Sequence, residues 1–376
     1  MLIKYIQTHP IPYQSPLIKF LSNKGIKIKV LYRSNISTKK FFDPGFEKKI
    51  KWDTKLLKGY KYEYLNYIGP NKVSNIFPIT TDFINKIFDT KTKIIWLHGI
   101  KNWYNLCIII IAKFFNKRIF IRDEVHQYSK KRNLLNNFCN YIFYQIIDSF
   151  IDIYLSIGSQ NKKYYLANNI NKKKIVTVPY VVDNDFFYIN KKIKKTKIIN
   201  YLFAAKLRKR KGADLLLEAI KLLKKDKIFT LNSQFLIIGE GYMKKDLKEY
   251  AKKNNLKNVK FLPFQNQKKL SKIYKQSDVF IMPSRTEPWG LTINEAMAAQ
   301  NIIISSNLVG SSFDLVVDGV NGFKFRNNDS NDLANKILKV YLNKKHINKY
   351  KLNSKKIISK WNFEACLVGL KKAVNK

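Results

Sequence analysis

Short runs of apolar and β-branched residues alternate along this chain with stretches whose apolar positions recur every three or four residues. The first kind predicts strands at Leu2–Gln7, Lys27–Tyr32, Ile94–His98, Arg118–Ile121, Ile153–Ser156 and Ile175–Val178. Between them, Ser15–Ser22 and Tyr104–Phe115 have the period of helices. The second half repeats the theme, with strands at Ile198–Ala204, Phe235–Gly239, Val259–Leu262, Val279–Met282 and Ile302–Ser305. Its helices fall at Asp214–Leu223, Met243–Lys253, Lys268–Lys275, Leu291–Ala299 and Asn331–Tyr341. Alternating strands and helices imply βαβ units and parallel sheets covered on both faces. Two such series predict an α/β protein of two doubly wound, Rossmann-like domains facing a cleft. The expected boundaries are 1–183, a polar linker at 184–196, a second domain at 197–355, and a C-terminal helical piece at 356–376 that returns to the first domain.

Length and composition agree with this picture. At roughly 150 residues per domain, 376 residues make two or three domains. A hydrophobic content of 45% excludes a disordered or fibrous chain. Three cysteines, far apart and odd in number, argue against a disulfide framework or a structural zinc site, and a reducing cytoplasm fits them. The apolar stretches Leu106–Ala112 and Tyr141–Ile157 are too short or too charged to span a membrane. They read as buried helices. The net charge of +45 invites a nucleic-acid reading. The cations are spread over both halves without a stripe or a tail, and no nucleic-acid motif accompanies them, so solvated surface positions explain them better. Attraction to anionic head groups at the inner membrane face remains compatible with such a surface.

In open α/β sheets ligands bind beyond the carboxyl ends of the strands, so the candidate chemistry lies in strand-to-helix loops. The loop AKLRKRKG, 205–212, places Lys206, Lys211 and three further cations before a helix start, an arrangement suited to a diphosphate. In IIGEGYMKKDL, Gly239 and Gly241 allow a tight turn and a close approach. In IMPSRTEPWGLTINEAMAAQ, residues 281–300, Glu287 lies in a loop and Glu295 eight positions later on a helix. Amides at Gly290 and Leu291 stand between them. Carboxylates accept hydrogen bonds from sugar hydroxyls while amides and cations hold phosphates, so the group suits a sugar nucleotide. A polar loop at Gly310–Ser312 and a turn, DGVNG, follow.

Together these strings resemble the retaining glycosyltransferases of family 4, which have the GT-B fold. The resemblance is close over 197–345 and weaker over 1–180. The family's G-R-L…K-G-x-D-x-L-x-x-A segment is similar to AKLRKRKGADLLLEA, with Ala205 for Gly and Lys206 for Arg. The glycine pattern matches Gly239, Gly241 and Leu247, and NVKFLPF resembles the base-reading segment, which makes Phe264 a base-site candidate. The E-x7-E motif is present as Glu287 and Glu295. The family's closing motif matches Val309–Gly322, with Ser311 for Gly and Asp314 for Glu. Near the N-terminus THPIPYQSP has no glycine where relatives are Gly-rich, and puts His9, Tyr13 and Gln14 at the cleft. It resembles a bacterial subset acting in surface polysaccharide assembly. Many relatives use a histidine at a strand end near the transferred sugar. RIFIRDEVHQY offers Asp123 or His126, and WLHG offers His98. VPYVVDNDFF resembles the interdomain hinge.

The resemblance implies transfer of a sugar from a nucleotide diphosphate sugar, UDP-linked by default, to a glycan or lipid-linked hydroxyl. The anomeric configuration is kept, and no metal or other cofactor is used. Lys206 and Lys211 would stabilise the leaving phosphate, Glu287 would orient the donor sugar and Glu295 would hold the ribose. A cytoplasmic protein, peripheral at the inner membrane face and not bound to nucleic acid, is the matching expectation. The alternatives are an inactive sugar-binding subunit or another GT-B enzyme, an epimerase or a phosphorylase.

Overall fold

A computed structural model of the chain describes residues 1–71, 78–127, 134–188 and 197–376. It divides into two units. The first comprises Met1–Phe41, Thr54–Val182 and Phe363–Lys376; the second comprises Phe42–Asp53 and Asp183–Asn362.

The main sheet of the first unit has seven strands: β1 (Leu2–Gln7), β2 (Ile28–Tyr32), β3 (Lys61–Tyr64), β4 (Thr92–His98), β5 (Arg118–Arg122), β6 (Ile153–Ser156) and β7 (Ile175–Thr177). Their order is β7-β6-β5-β4-β1-β2-β3, with every pairing parallel. Among the described residues up to Val182, its helices of eight or more residues are α1 (Gln14–Asn23), α2 (Trp103–Phe114), α3 (Leu134–Asp148) and α4 (Ser159–Ala167). β4 and β5 are buried almost throughout because helices cover both faces of the sheet. Ile95, Leu97, Ile108, Ile119, Ile121 and Tyr144 are among the residues of its core.

The second unit has six strands: β8 (Ile199–Ala204), β9 (Ser233–Ile238), β10 (Val259–Leu262), β11 (Val279–Met282), β12 (Ile302–Ser306) and β13 (Gly322–Phe325). They are ordered β10-β9-β8-β11-β12-β13, again all parallel. Its longer helices are α5 (Ala213–Leu223), α6 (Lys244–Lys253), α7 (Gln267–Gln276), α8 (Leu291–Ala298), α9 (Ser330–Leu342) and α10 (Ile347–Ile358). On α5, Ala213, Leu216, Leu217, Ile220 and Leu223 are buried at helical spacing against the sheet.

In each sheet the winding reverses once, between β1 and β4 and between β8 and β11. At such a switch point adjacent loops diverge to opposite faces and leave a crevice. Both crevices are lined by loops that carry candidate residues.

The expected boundaries need three corrections. Residues 42–53, counted with the first domain from the sequence, group with the second unit. There they form most of a two-stranded ribbon, Phe41–Asp43 with Lys48–Ile50. The expected linker begins as structure: Asn184–Phe187 is a short helix capped by Asp183, and Asn184 donates to the carbonyls of Ile358 and Trp361. Residues 189–196 of that linker lie outside the described residues. The returning C-terminal piece starts at Phe363, not at 356, because α10 belongs to the second unit. Its helix α11 (Phe363–Val374) is tied to the first unit by Arg118, which donates to the carbonyls of Val374 and Ala373 at 2.9 and 3.2 Å. Gly369 lets it come so close that a Cβ there would lie 2.3 Å from the Thr177 carbonyl.

One apolar expectation fails as well. α2 and α3 are buried on one side only, and Ile110, Ile142 and Ile146 are exposed.

Candidate active site

In the second unit the loop after β8 and the loop after β11 meet at the switch point. Arg285 joins them: its amide donates to the Arg210 carbonyl at 2.8 Å and its guanidinium to the Lys209 carbonyl at 2.6 Å. The same guanidinium takes both oxygens of Asp214, each at 2.9 Å, a bidentate pair that fixes the loop to the first turn of α5. Gly212, at φ +74°, lies so close to Pro283 that a Cβ would stand 2.0 Å from its carbonyl oxygen. Only glycine fits there.

This zipper brings Lys211 and Arg210 onto one carboxylate. Lys211 Nζ is hydrogen-bonded to Glu287 Oε2, and Arg210 Nη1 reaches the same oxygen at 3.1 Å. Burial pulls the Lys211 pKa below its ordinary value. Glu287 opposes that shift, while the charges of Arg210 and Lys206 add to it. The Glu287 backbone is locked in turn. Its amide donates to Leu308, its carbonyl accepts from Gly310 at 3.0 Å, and it forms a lone parallel bridge with Val309. The Gly310–Ser312 loop therefore serves as the support of Glu287.

Lys206 has a partner that sequence reasoning missed. Its ammonium lies 2.9 and 3.1 Å from the two oxygens of Asp43 and 4.7 Å above the Phe46 ring. Arg208 donates to the carbonyls of Gly45 and Pro44. Phe264, the base-site candidate, packs 4.6 Å from Phe46 and 6.0 Å from Trp52 by ring centroids. The signal for this strap is the DPG turn flanked by aromatic residues at 41–52, which reads as a hairpin only once its docking place is known.

Gly239 and Gly241 allow a close approach, and the approach in this structure is to the chain itself. A Cβ on Gly239 would lie 2.0 Å from the Ala205 carbonyl oxygen, and one on Gly241 2.7 Å from that of Leu207. The two glycines seat the cation loop. Gly290, at φ +95°, and Leu291 begin α8. Glu295, further along that helix, is 8% exposed and accepts from the Tyr274 hydroxyl at 3.0 Å. Burial raises its pKa to about 7, and Tyr274 only partly offsets this.

In the first unit the carboxyl ends of β1, β4 and β5 hold a polar network. His98 Nε2 lies 3.2 Å from Glu124 Oε1, and the Tyr5 hydroxyl is 3.5 Å from His98 Nδ1. Tyr180 donates to Glu124, and its hydroxyl is 3.1 Å from that of Tyr13. Gln14 accepts from Tyr5 at 2.7 Å. Burial pushes the Glu124 pKa upward, but the bond and charge of His98, the Tyr180 hydroxyl and Arg122 outweigh it and hold the carboxylate below its ordinary value.

Of the three first-domain candidates, His98 is therefore bonded to a carboxylate at the strand ends. Asp123 is buried; its Oδ1 accepts from the Ile100 amide at 2.9 Å, and its Oδ2 has no hydrogen-bond partner. Burial raises its pKa to about 6, opposed by His98. The His126 side chain is buried at 1% exposure. Glu124 and Tyr180 went unremarked within RDEVH and VPYVV, since neither string says which side chain turns toward the strand ends. Among the described residues no group of three or more His, Cys, Asp and Glu could hold a metal ion.

Two parallel, doubly wound sheets in this order have the GT-B fold. Residues 184–357 match the family described as "Glycosyl transferases group 1". An uncharacterized glycosyltransferase of Methanocaldococcus jannaschii is 29% identical over 171 residues, 46% of this chain and 46% of that protein. The UDP-Gal:alpha-D-GlcNAc-diphosphoundecaprenol alpha-1,3-galactosyltransferase of Escherichia coli is 31% identical over 182 residues, again 46% of each. The similarity thus spans about half the length of these curated relatives. HepE of Anabaena, solved in complex with UDP, superposes with a TM-score of 0.75 at 14% identity, covering 100% of both chains. At that identity the likeness is one of fold.

Proposed function

We propose that this protein transfers a sugar from a nucleotide diphosphate sugar to a hydroxyl acceptor, with retention of the anomeric configuration, in the synthesis of a surface polysaccharide or glycolipid. The observation that carries the reading is the convergence of Lys211 and Arg210 on Glu287 at the switch point of the second sheet, with Lys206 close enough to add to their field. Fixed cations at that place stabilise charge growing on a departing diphosphate, which is the electrostatic work a divalent metal would otherwise do. We assign the leaving phosphate to Lys206 and Lys211, the donor sugar to Glu287 and the ribose to Glu295. Phe264 and the glycines at 239 and 241 line the nucleotide. His98, held by Glu124, is the first-unit group we assign to the sugar or acceptor end, ahead of Asp123 and His126. The acceptor is a lipid-linked glycan, as the name of the Escherichia coli relative suggests, and the donor nucleotide is UDP, as in the HepE complex.

The test is thermal unfolding in UDP, GDP, ADP and CDP at fixed salt. A nucleotide present at 100 times its Kd adds about 2.7 kcal/mol of stability. Stabilisation by UDP is expected, and its loss in Lys211→Ala and Glu295→Ala. Transfer from a radiolabelled UDP-sugar should fall about 100-fold or more in Lys211→Ala. Full turnover by either variant, folded by circular dichroism, would falsify the residue assignment. Persistence of transfer in EDTA tests the metal-free mechanism.

A further inference from the structure

Residues 42–53 belong to the second unit and touch three of the places given above to the nucleotide. Asp43 holds the Lys206 ammonium at 2.9 and 3.1 Å, and Gly45 packs against the same side chain. Arg208 donates to the carbonyls of Pro44 and Gly45. Lys48 lies 3.7 Å from Glu240, which stands between Gly239 and Gly241. Phe46 packs 4.6 Å from the Phe264 ring and has the Lys206 ammonium 4.7 Å from its own centre. The tip of this strap, Asp43–Phe46, thus sets a carboxylate on a cation assigned to the diphosphate and an aromatic ring on the one assigned to the base. A nucleoside diphosphate offers the same two things, an anion and a flat ring.

Little holds the tip down. Among the described residues its strands, Phe41–Asp43 and Lys48–Ile50, pair only with each other, and a two-stranded ribbon is marginally stable by itself. Phe42, Pro44 and Glu47 are exposed, and Glu47 adopts φ +51°, a region that costs a residue with a side chain. The far end is fixed. Ile50 is buried, Asn266 donates to the Lys51 carbonyl, and the Lys268 amide donates to Asp53. The turn is closed internally, since Asp43 Oδ1 accepts from the amides of Gly45 and Phe46 at 2.6 and 3.1 Å, so the tip can lift as one piece. The exchange suits the cations. Arg208 would give up neutral carbonyls, and Lys206 a single carboxylate, for the charged oxygens of a diphosphate, and charge-assisted hydrogen bonds are the stronger kind.

We propose that the tip Asp43–Phe46 is a built-in gate on the donor site: it stands in for a nucleoside diphosphate on Lys206, Arg208 and Phe264, and the donor binds by displacing it. The inference rests on the proposed function for the identity of the donor site. Its consequence is that the measured affinity for a nucleotide is the intrinsic affinity reduced by the fraction of chains whose tip is lifted. A tip that stayed in place and clasped the nucleotide would reverse the sign of each measurement below.

The test uses the full chain. Hydrogen exchange of peptides spanning 41–50, read by mass spectrometry, should quicken about threefold or more on saturation with UDP, because the ribbon loses its support. Phe46→Ala removes the ring without changing any charge. It should lower the Kd of UDP and of pyrophosphate about three- to tenfold by calorimetry at fixed salt, because the lifted fraction rises. Pyrophosphate has no base, so its gain reports the tip alone. Phe46 is partly exposed, so the fold, checked by circular dichroism, is retained. With UDP bound, slower or unchanged exchange overturns the gate and leaves the proposed function standing, as does an equal or higher Kd in Phe46→Ala. Binding of UDP by Phe46→Ala but not by the parent chain supports both. Failure of parent and variant alike to bind UDP, GDP, ADP, CDP or pyrophosphate overturns the donor assignment, and the gate with it.

Discussion

Asp43 grips Lys206 through both carboxylate oxygens, at 2.9 and 3.1 Å, across 163 positions of sequence. An anion of the protein thus already rests on one of the two cations assigned to the donor diphosphate. The strap that carries it is also held at its other end: Asn266 donates to the Lys51 carbonyl, the Lys268 amide donates to Asp53, and Phe264 packs on Trp52. Replacing Asp43 by Asn removes the competing charge and leaves an oxygen for the turn amides of Gly45 and Phe46. Lys206 is about a third exposed, so the pair is worth only about 0.5–1 kcal/mol. The expected result is a two- to fivefold lower Kd (about the same free energy) for UDP and for pyrophosphate, read by calorimetry at fixed salt. A higher Kd in Asp43→Asn would instead make Asp43 a partner that positions Lys206.

Gly212 and Gly319 share a φ of +74° but differ in surroundings. A Cβ on Gly212 meets the Pro283 carbonyl at 2.0 Å, whereas one on Gly319 has nothing within 4 Å. Gly319→Ala therefore costs only the left-handed strain, about 1 kcal/mol. Gly212→Ala adds the displacement of a backbone carbonyl, for a total of about 2–4 kcal/mol. Urea unfolding of the two variants should separate these terms. The nucleotide-induced stabilisation should shrink in Gly212→Ala alone, because that substitution parts the loops that bring Lys211 to Glu287.

Glu295 should leave a mark on the pH dependence of stability. Its folded pKa, about 7, lies above that of the unfolded chain, because burial penalises the carboxylate. Between about pH 4.5 and 7 the native state then binds more protons than the unfolded state, so this group makes stability fall as pH rises. The full effect is on the order of 3 kcal/mol at most. Glu295→Gln keeps an acceptor for Tyr274 and removes the titration. Subtracting its stability profile from that of the parent should yield a difference that grows against the parent from pH 5 to 7.5. Asp123, with a pKa of about 6, adds a contribution of the same sign that survives in the variant.

Much of the second unit was legible in the chain. β8 to β12 lie within a residue or two of their apolar runs, since a strand buried on both faces must be written almost wholly in apolar residues. The sites of Lys211 and Glu287 were equally legible, because a loop after a strand and before a helix start announces itself by glycine and charge. The first unit was harder. Nothing in residues 33–93 is periodic over more than a few positions, and β3, whose four residues are all at least partly exposed, left no apolar run to read.

Local sequence determined the alternation of strands and helices, hence the two parallel sheets, and the residue types gathered at the strand ends. Only tertiary structure decided which groups meet. Arg210 and Lys211 reach Glu287 because β8 and β11 are neighbours in the sheet, although 76 positions separate Lys211 from Glu287. Asp43 reaches Lys206 because the strap 42–53 leaves the first unit to pack on the second. The outer face of α3 is bare for the same kind of reason. Helical periodicity shows that both sides of such a helix are apolar, but which side the sheet covers depends on a neighbour that lies elsewhere in the chain.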